Sequence, residues 1–256
     1  MKKFLFELCA ESLEAARAAE FGGADRIELC SELSKGGLTP AIDLRTAVIQ
    51  ALTIPVHVLI RPRGGDFVFS RQEFVQMERQ IEQVGQAGAA GVAIGVLLPD
   101  GRVDVERSRG LVRLARPMRV TFHRAFDEAA DLDEALEAVI QTGADCLLTS
   151  GGAPDVLAGA DTIARLHTQA GARLEIMAGG GLQLGNLEEV VRRTGVSSLH
   201  GSLTRNADAG ERNAAHSTNG HFVSGGSAML EAKVRELVRL LRQEAPMRES
   251  PVSRAR

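Results

Sequence analysis

Short β-rich runs recur along the chain at 4–9, 26–30, 56–60, 91–95, 119–123, 146–150, 174–178 and 198–202. Their starts lie roughly 20 to 35 residues apart, the length of one strand–helix unit. Between them the apolar period changes to that of a helix. Leu13, Ala16 and Ala19 share one face of 12–21, and Phe74, Met77, Ile81 and Val84 recur at helical spacing within 70–87. Eight such units predict an α/β fold, a single-domain (β/α)8 TIM barrel, rather than an open doubly wound sheet. The open sheet calls for a GxGxxG turn after the first strand, and Cys9, Ala10, Glu11 and Ser12 stand there instead.

The punctuation agrees with that reading. Five helices run out at glycine, at Gly22–Gly23, Gly88, Gly143, Gly171 and Gly195, where a left-handed cap belongs. Two stop ahead of Pro55 and Pro117, because proline cannot continue a helix. Ser12 with Glu14, and Asp133 with Glu134 and Glu137, mark helix starts. Two segments break the rhythm. Residues 204–227 are polar and rich in Gly and Asn, and predict a long irregular loop after the eighth strand, a lid or a disordered stretch. The barrel is expected over 1–243, with a disordered charged tail at 244–256.

Composition narrows the function. The 256 residues carry a net charge of −3, which offers nothing to nucleic acid or an anionic membrane. The absence of Trp and Tyr removes the usual base-stacking platforms. No apolar run approaches the roughly 18 residues of a membrane span. Three cysteines, with no CxxC pair, predict no disulfide framework and a reducing, cytoplasmic setting.

In a barrel the chemistry sits at the C-terminal ends of the strands. Strand alternation puts Glu7 and Cys9 on the inward face of the first strand, and Arg26, Glu28 and Cys30 on that of the second. His57, Leu59 and Arg61 share a face of the third. His123, Arg124 and Asp127 follow the fifth strand, Thr149 and Ser150 end the sixth, and the eighth supplies His200 and Ser202. Charges on inward faces are costly unless paired. The set therefore describes either an ionised polar site or a salt-bridge network that fills the barrel. Arg61 and Arg63 within Arg-Pro-Arg-Gly-Gly-Asp present two planar forks suited to carboxylate or phosphate. With Ser150 and the backbone of Gly179, Gly180 and Gly181, ahead of the next helix, they make up a candidate anion site. The triplet is equally a tight turn that needs positive φ. Cys9 and Cys30 end adjacent strands, within reach of one soft metal ion such as copper(I), although buried cysteine also packs as a small apolar residue.

Several segments carry a resemblance: FELCAES at 6–12, GGADRIELC at 22–30, IPVHVLIRPRGGDF at 54–67, VTFHRAFD at 120–127, LLTSGG at 147–152 and the triplet 179–181. Together they resemble the copper homeostasis protein CutC family. The resemblance implies a cytoplasmic homo-oligomer, dimer or tetramer, with a role in copper tolerance and copper(I) bound through cysteines. Positions where some members carry further cysteines correspond to Gly152 and Gly201, leaving Cys9 and Cys30 at the mouth.

Two functions are thus expected. One is copper(I) binding by Cys9 and Cys30. The other is a cofactor-independent lyase or isomerase acting on a small anionic, phosphorylated or carboxylated metabolite, with Glu7, Glu28 or His123 moving protons.

Overall fold

A computed structural model describes residues 4–203 and 224–244. Its parallel strands are β1 (Leu5–Ala10), β2 (Arg26–Leu29), β3 (Val56–Leu59), β4 (Gly91–Ile94), β5 (Arg119–Phe122), β6 (Cys146–Thr149), β7 (Glu175–Gly179) and β8 (Ser198–Gly201). Each pairs with the next, and β8 returns to β1 with Leu5 opposite Ser198 and Glu7 opposite His200, which closes the barrel and excludes the open sheet.

The helices α1 (Leu13–Gly22), α2 (Ile42–Ala51), α3 (Arg71–Gln86), α4 (Val105–Ala115), α5 (Leu132–Thr142), α6 (Ala160–Ala170), α7 (Leu187–Thr194) and α8 (Ser224–Glu244) form the outer layer. Their ends follow the local chemistry. Ser12 caps α1 by accepting from the Ala15 N–H, and Ser70 with Glu73 makes a capping box on α3. Gly23, Gly143 and Gly195 cap their helices in the left-handed region. The Arg116 C-cap stands just before Pro117.

Three boundaries differ from expectation. The cap of α5 is Asp131, not Asp133; its carboxylate takes the N–H groups of both Asp133 and Glu134. Helix α7 starts at Leu187, so five residues separate it from the glycine triplet and the triplet is not its first turn. Ser224 to Ser227 belong to α8 rather than to an irregular loop. The rest of the expected loop, 204–223, and the tail 245–256 lie outside the described residues.

The main core lies between sheet and helices. Phe6, Leu8, Ile27, Leu29, Val56 and Val58 point outward from β1–β3 and are buried with Met77, Ile81 and Val84 of α3 among others. At roughly 25 cal/mol per Å² of apolar surface removed from water, this layer is the main source of stability. The barrel interior differs. Two small apolar groups, Cys9, Cys30, Leu59 and Ala93, and Cys146, Leu148 and Met177, share it with buried Glu7, Arg26, Glu28 and His57. Among the described residues no helix is long and apolar enough to cross a membrane.

Candidate functional site

The interior charges form one connected set. Glu7 Oε2 accepts from Arg26 Nε at 2.5 Å, and Glu7 Oε1 lies 2.8 Å from His200 Nδ1. The other ring nitrogen of His200 is 3.9 Å from Glu28 Oε2. The β1–β8 register puts Glu7 beside His200, while the β1–β2 register puts Cys9 beside Glu28. His57 sits lower, with Nδ1 3.8 Å from Glu7 Oε2 and without a hydrogen-bond partner among the described residues.

The two carboxyls differ in their surroundings and therefore in acidity. Burial acts to raise Glu7, but the Arg26 charge and the His200 hydrogen bond outweigh it and hold the group far below the usual carboxylate range. Burial dominates at Glu28 and, with Glu7 nearby, pushes that carboxyl up to about 6 despite the His200 charge. For His200, burial opposes the proton, yet the Glu7 hydrogen bond and the charges of Glu28 and Glu7 raise its pKa above the ordinary value. Two carboxyls on one wall thus have opposite tendencies, the pattern that separates a fixed anion from a proton carrier.

Above this set opens a cavity of about 430 Å³ at the C-terminal end of the barrel. Cys9, Cys30, Glu28 and His200 line one part of it; Arg61, His123, Arg124, Gly180 and Gly181 line another. The Cys9 and Cys30 sulfurs stand 3.1 Å apart. The Cys30 thiol, burial and the Glu28 and Glu7 charges together raise the Cys9 pKa well above the ordinary thiol value. One ligand atom each from Cys9, Glu28 and His200 lie within 4.8 Å of one another, a spacing that could hold a metal ion.

The expected anion site is only partly assembled. Arg61 lines the cavity, but its NH1 and NH2 groups donate to the carbonyls of Lys35, Gly36, Gly37 and Gly65. Arg63 is not among the lining residues. It ion-pairs with Asp66 and Glu73 and donates to the Gly64, Asp66 and Val68 carbonyls, which consumes the fork expected to meet a ligand. Ser150 and Gly179 lie behind the lining: Ser150 bonds Asp127, and Gly179 packs on Leu148 and His200. Gly180 and Gly181 do reach the cavity, with φ of +102° and +80°. A Cβ on Gly180 would sit 3.1 Å from the Arg124 guanidinium carbon, so the triplet keeps room for that arginine.

Arg124 and His200 line the cavity, and the sequence names them at strand ends without assigning either a role. Arg124 is oriented by Asp127, at 2.7 Å, and by Ser150, at 2.9 Å. Asp127 also accepts the N–H groups of Ser150 and Gly152, which fixes the turn after β6. Strand parity marks His200 as inward, but only closure of the barrel brings it to Glu7. Cys146, as expected of a packing residue, is buried with Leu148 and Met177.

The CutC family model matches residues 4–205. A CutC family protein of Xylella fastidiosa is 45% identical over 240 residues, covering 93% of this chain and 89% of its own. The Homo sapiens copper homeostasis protein cutC homolog is 44% identical over 207 residues, covering 81% and 76%. The crystal structure of the CutC protein of Streptococcus agalactiae superposes with a TM-score of 0.74 at 30% identity, over 78% of this chain and all of that one.

Proposed function

Since the chain belongs to the CutC family, we propose that it acts in copper homeostasis by binding copper(I) at Cys9 and Cys30 in the mouth of the barrel. The observation that carries this reading is the 3.1 Å approach of the two sulfurs beside His200 and Glu28. Soft thiolates prefer copper(I), and an imidazole nitrogen is a suitable further donor. His200 Nδ1 is occupied by Glu7, so Nε2 is the nitrogen left to bind, a carboxylate–histidine arrangement that supports a ligating ring. The Cys9 thiol is held protonated by its raised pKa, so binding there must release a proton and weaken as pH falls. Thiols kept free in this way fit a reducing cytoplasm.

The test is a copper(I) titration against a competing chelator under reducing conditions, on wild type and on Cys9→Ser with Cys30→Ser. Tight binding that disappears in the double variant supports the reading. Weak binding, or binding indifferent to the substitutions, removes it.

A second reading is favoured by the cavity itself, which is far larger than one ion needs and holds a carboxyl at about 6. On this reading the protein is a cofactor-independent lyase or isomerase for a small anionic metabolite. Glu28 transfers the proton, because a group poised near neutrality does so best. Glu7, kept ionised and outside the cavity lining, orients His200. Arg124 and the Gly180–Gly181 backbone meet the anionic end. Exchange of a substrate proton with solvent, lost in Glu28→Gln, is the signature to seek.

A further inference from the structure

We propose that the cavity binds a small oxyanion, a carboxylate or phosphoryl group, whose oxygen accepts the Nε2–H of His123 beside the Arg61 guanidinium. The inference rests on the second reading above for an anionic ligand, and seats its charged end on His123 rather than on Arg124 and the Gly180–Gly181 backbone.

Nδ1 of His123 accepts the Ala125 N–H at 3.1 Å. A ring nitrogen that accepts carries no proton, so the neutral ring bears its proton on Nε2. That donor has no partner among the described residues, although His123 is only 5% exposed and lines the cavity. An unmet buried donor is costly, and a ligand oxygen would satisfy it. The ring is held in place from two sides. Phe67 lies 5.2 Å away between centroids, and a Cβ on Gly95 would come within 2.5 Å of His123 Cε1. Burial, with the Arg61 charge, depresses the His123 pKa to about 3. On this proposal the ring acts as a fixed neutral donor.

Arg61 gives the wall its sign. It is 6% exposed and forms no ion pair among the described residues. Its charge is met by loop carbonyls and by the Phe67 ring, 4.4 Å from the guanidinium carbon, and its Nε is a second buried donor without a partner among the described residues. A guanidinium without a carboxylate, next to an unmet neutral donor, favours an anionic oxygen over a neutral one. Glu28 lines the same cavity and would repel an anion, which assigns the charged end of the ligand to the His123 wall and leaves the rest of it toward Glu28 and His200.

The experiment uses the full chain labelled with 15N-histidine, titrated separately with malonate and with inorganic phosphate. The expected result is a saturable shift of the His123 Nε2 resonance with at least one of them. Removing a hydrogen bond to a charged group weakens binding by about ten- to a hundred-fold, so His123→Leu should lose that much affinity. His123→Gln, which can offer an amide N–H near the Nε2 position, should recover most of it. Wild-type titrations that leave the resonance unmoved overturn the proposal, as does full affinity in His123→Leu. Affinity lost in Arg124→Ala but kept in His123→Leu would seat the anion at Gly180 and Gly181; the second reading would then stand and this inference fall. The wild-type resonance is decisive by itself should the leucine variant misfold.

Discussion

Glu28→Gln should make the protein more stable at neutral pH, although it alters a buried residue of the proposed site. The native state holds the Glu28 proton more tightly than the unfolded chain, with a pKa of about 6 against an ordinary 4.5. Below 4.5 both states are protonated and the carboxyl costs nothing. As pH rises the unfolded state loses its proton first, and the stability present at low pH is gone above about 6. One pKa unit corresponds to about 1.4 kcal/mol, so the penalty at pH 7.5 is about 2 kcal/mol. Glutamine keeps the shape without the charge, and should recover that amount at pH 7.5 and almost none at pH 4. Urea denaturation of both proteins at the two pH values is the assay, since a change of midpoint at constant slope reports stability. A second readout is independent of unfolding: part of the raised His200 pKa comes from the Glu28 charge, so the His200 titration should move to lower pH in the variant. Equal stability at pH 7.5, or a gain of the same size at pH 4, would refute the claim that burial governs this carboxyl.

Glu7→Gln should do the opposite, because it leaves Arg26 buried without its counter-charge; removing one partner of a buried pair costs about 3–5 kcal/mol. The Glu7 pKa is lowered, so its contribution is present above 4.5 and lost as pH falls, and the variant should lag wild type in thermal melts at pH 7 by more than at pH 3.5. Gly95→Ala would drive a methyl into the His123 ring, and overpacking of this kind costs about 1–3 kcal/mol; a melting temperature unchanged from wild type would show that the ring is free to move. Asp127→Asn replaces the acceptor of the Ser150 and Gly152 N–H groups and the partner of Arg124, and should lower stability by about 1–3 kcal/mol. If the Asp127 carboxylate orients Arg124, the same variant should also weaken phosphate binding, measured by calorimetry.

Strand parity made the inner wall legible. Alternation in β1–β3 depends only on the strand, and it selects Glu7, Cys9, Arg26, Glu28, Cys30 and His57, all of which are buried inside the barrel. It misleads just beyond a strand end. Arg61 lies two residues past β3, and whether its fork meets a ligand or the chain is decided by the loops around Gly36 and Gly65, which carry no period. Arg63 is a clearer case. Its partners Asp66 and Glu73 are close in sequence, so the local ion pairs could be anticipated from spacing alone, but the motif Arg-Pro-Arg draws attention to the ligand instead. Pairings across the closure, such as Glu7 with His200, require a register between the first and last strands that no single-strand pattern contains.

The same distinction explains why two functions can be argued from one cavity. The residues that alternation selects make an acid, sulfur-bearing wall at the start of the chain, on β1 and β2, with His200 arriving from β8. The residues that loops and turns select make an N–H-rich wall, from Arg61, His123, Arg124 and Gly180. Copper(I) needs only the first wall; an anion needs the second, and a reaction on that anion needs both. Glu28 belongs to either arrangement, as a neighbour of the Cys9 sulfur and as the carboxyl poised near neutrality. A metal ion held at Cys9 would therefore change the charge that Glu28 feels, and favour its ionised form. On the two readings together, copper and the proton chemistry would be coupled through this one carboxyl, and a Glu28 titration with and without copper(I) separates a shared site from two independent ones.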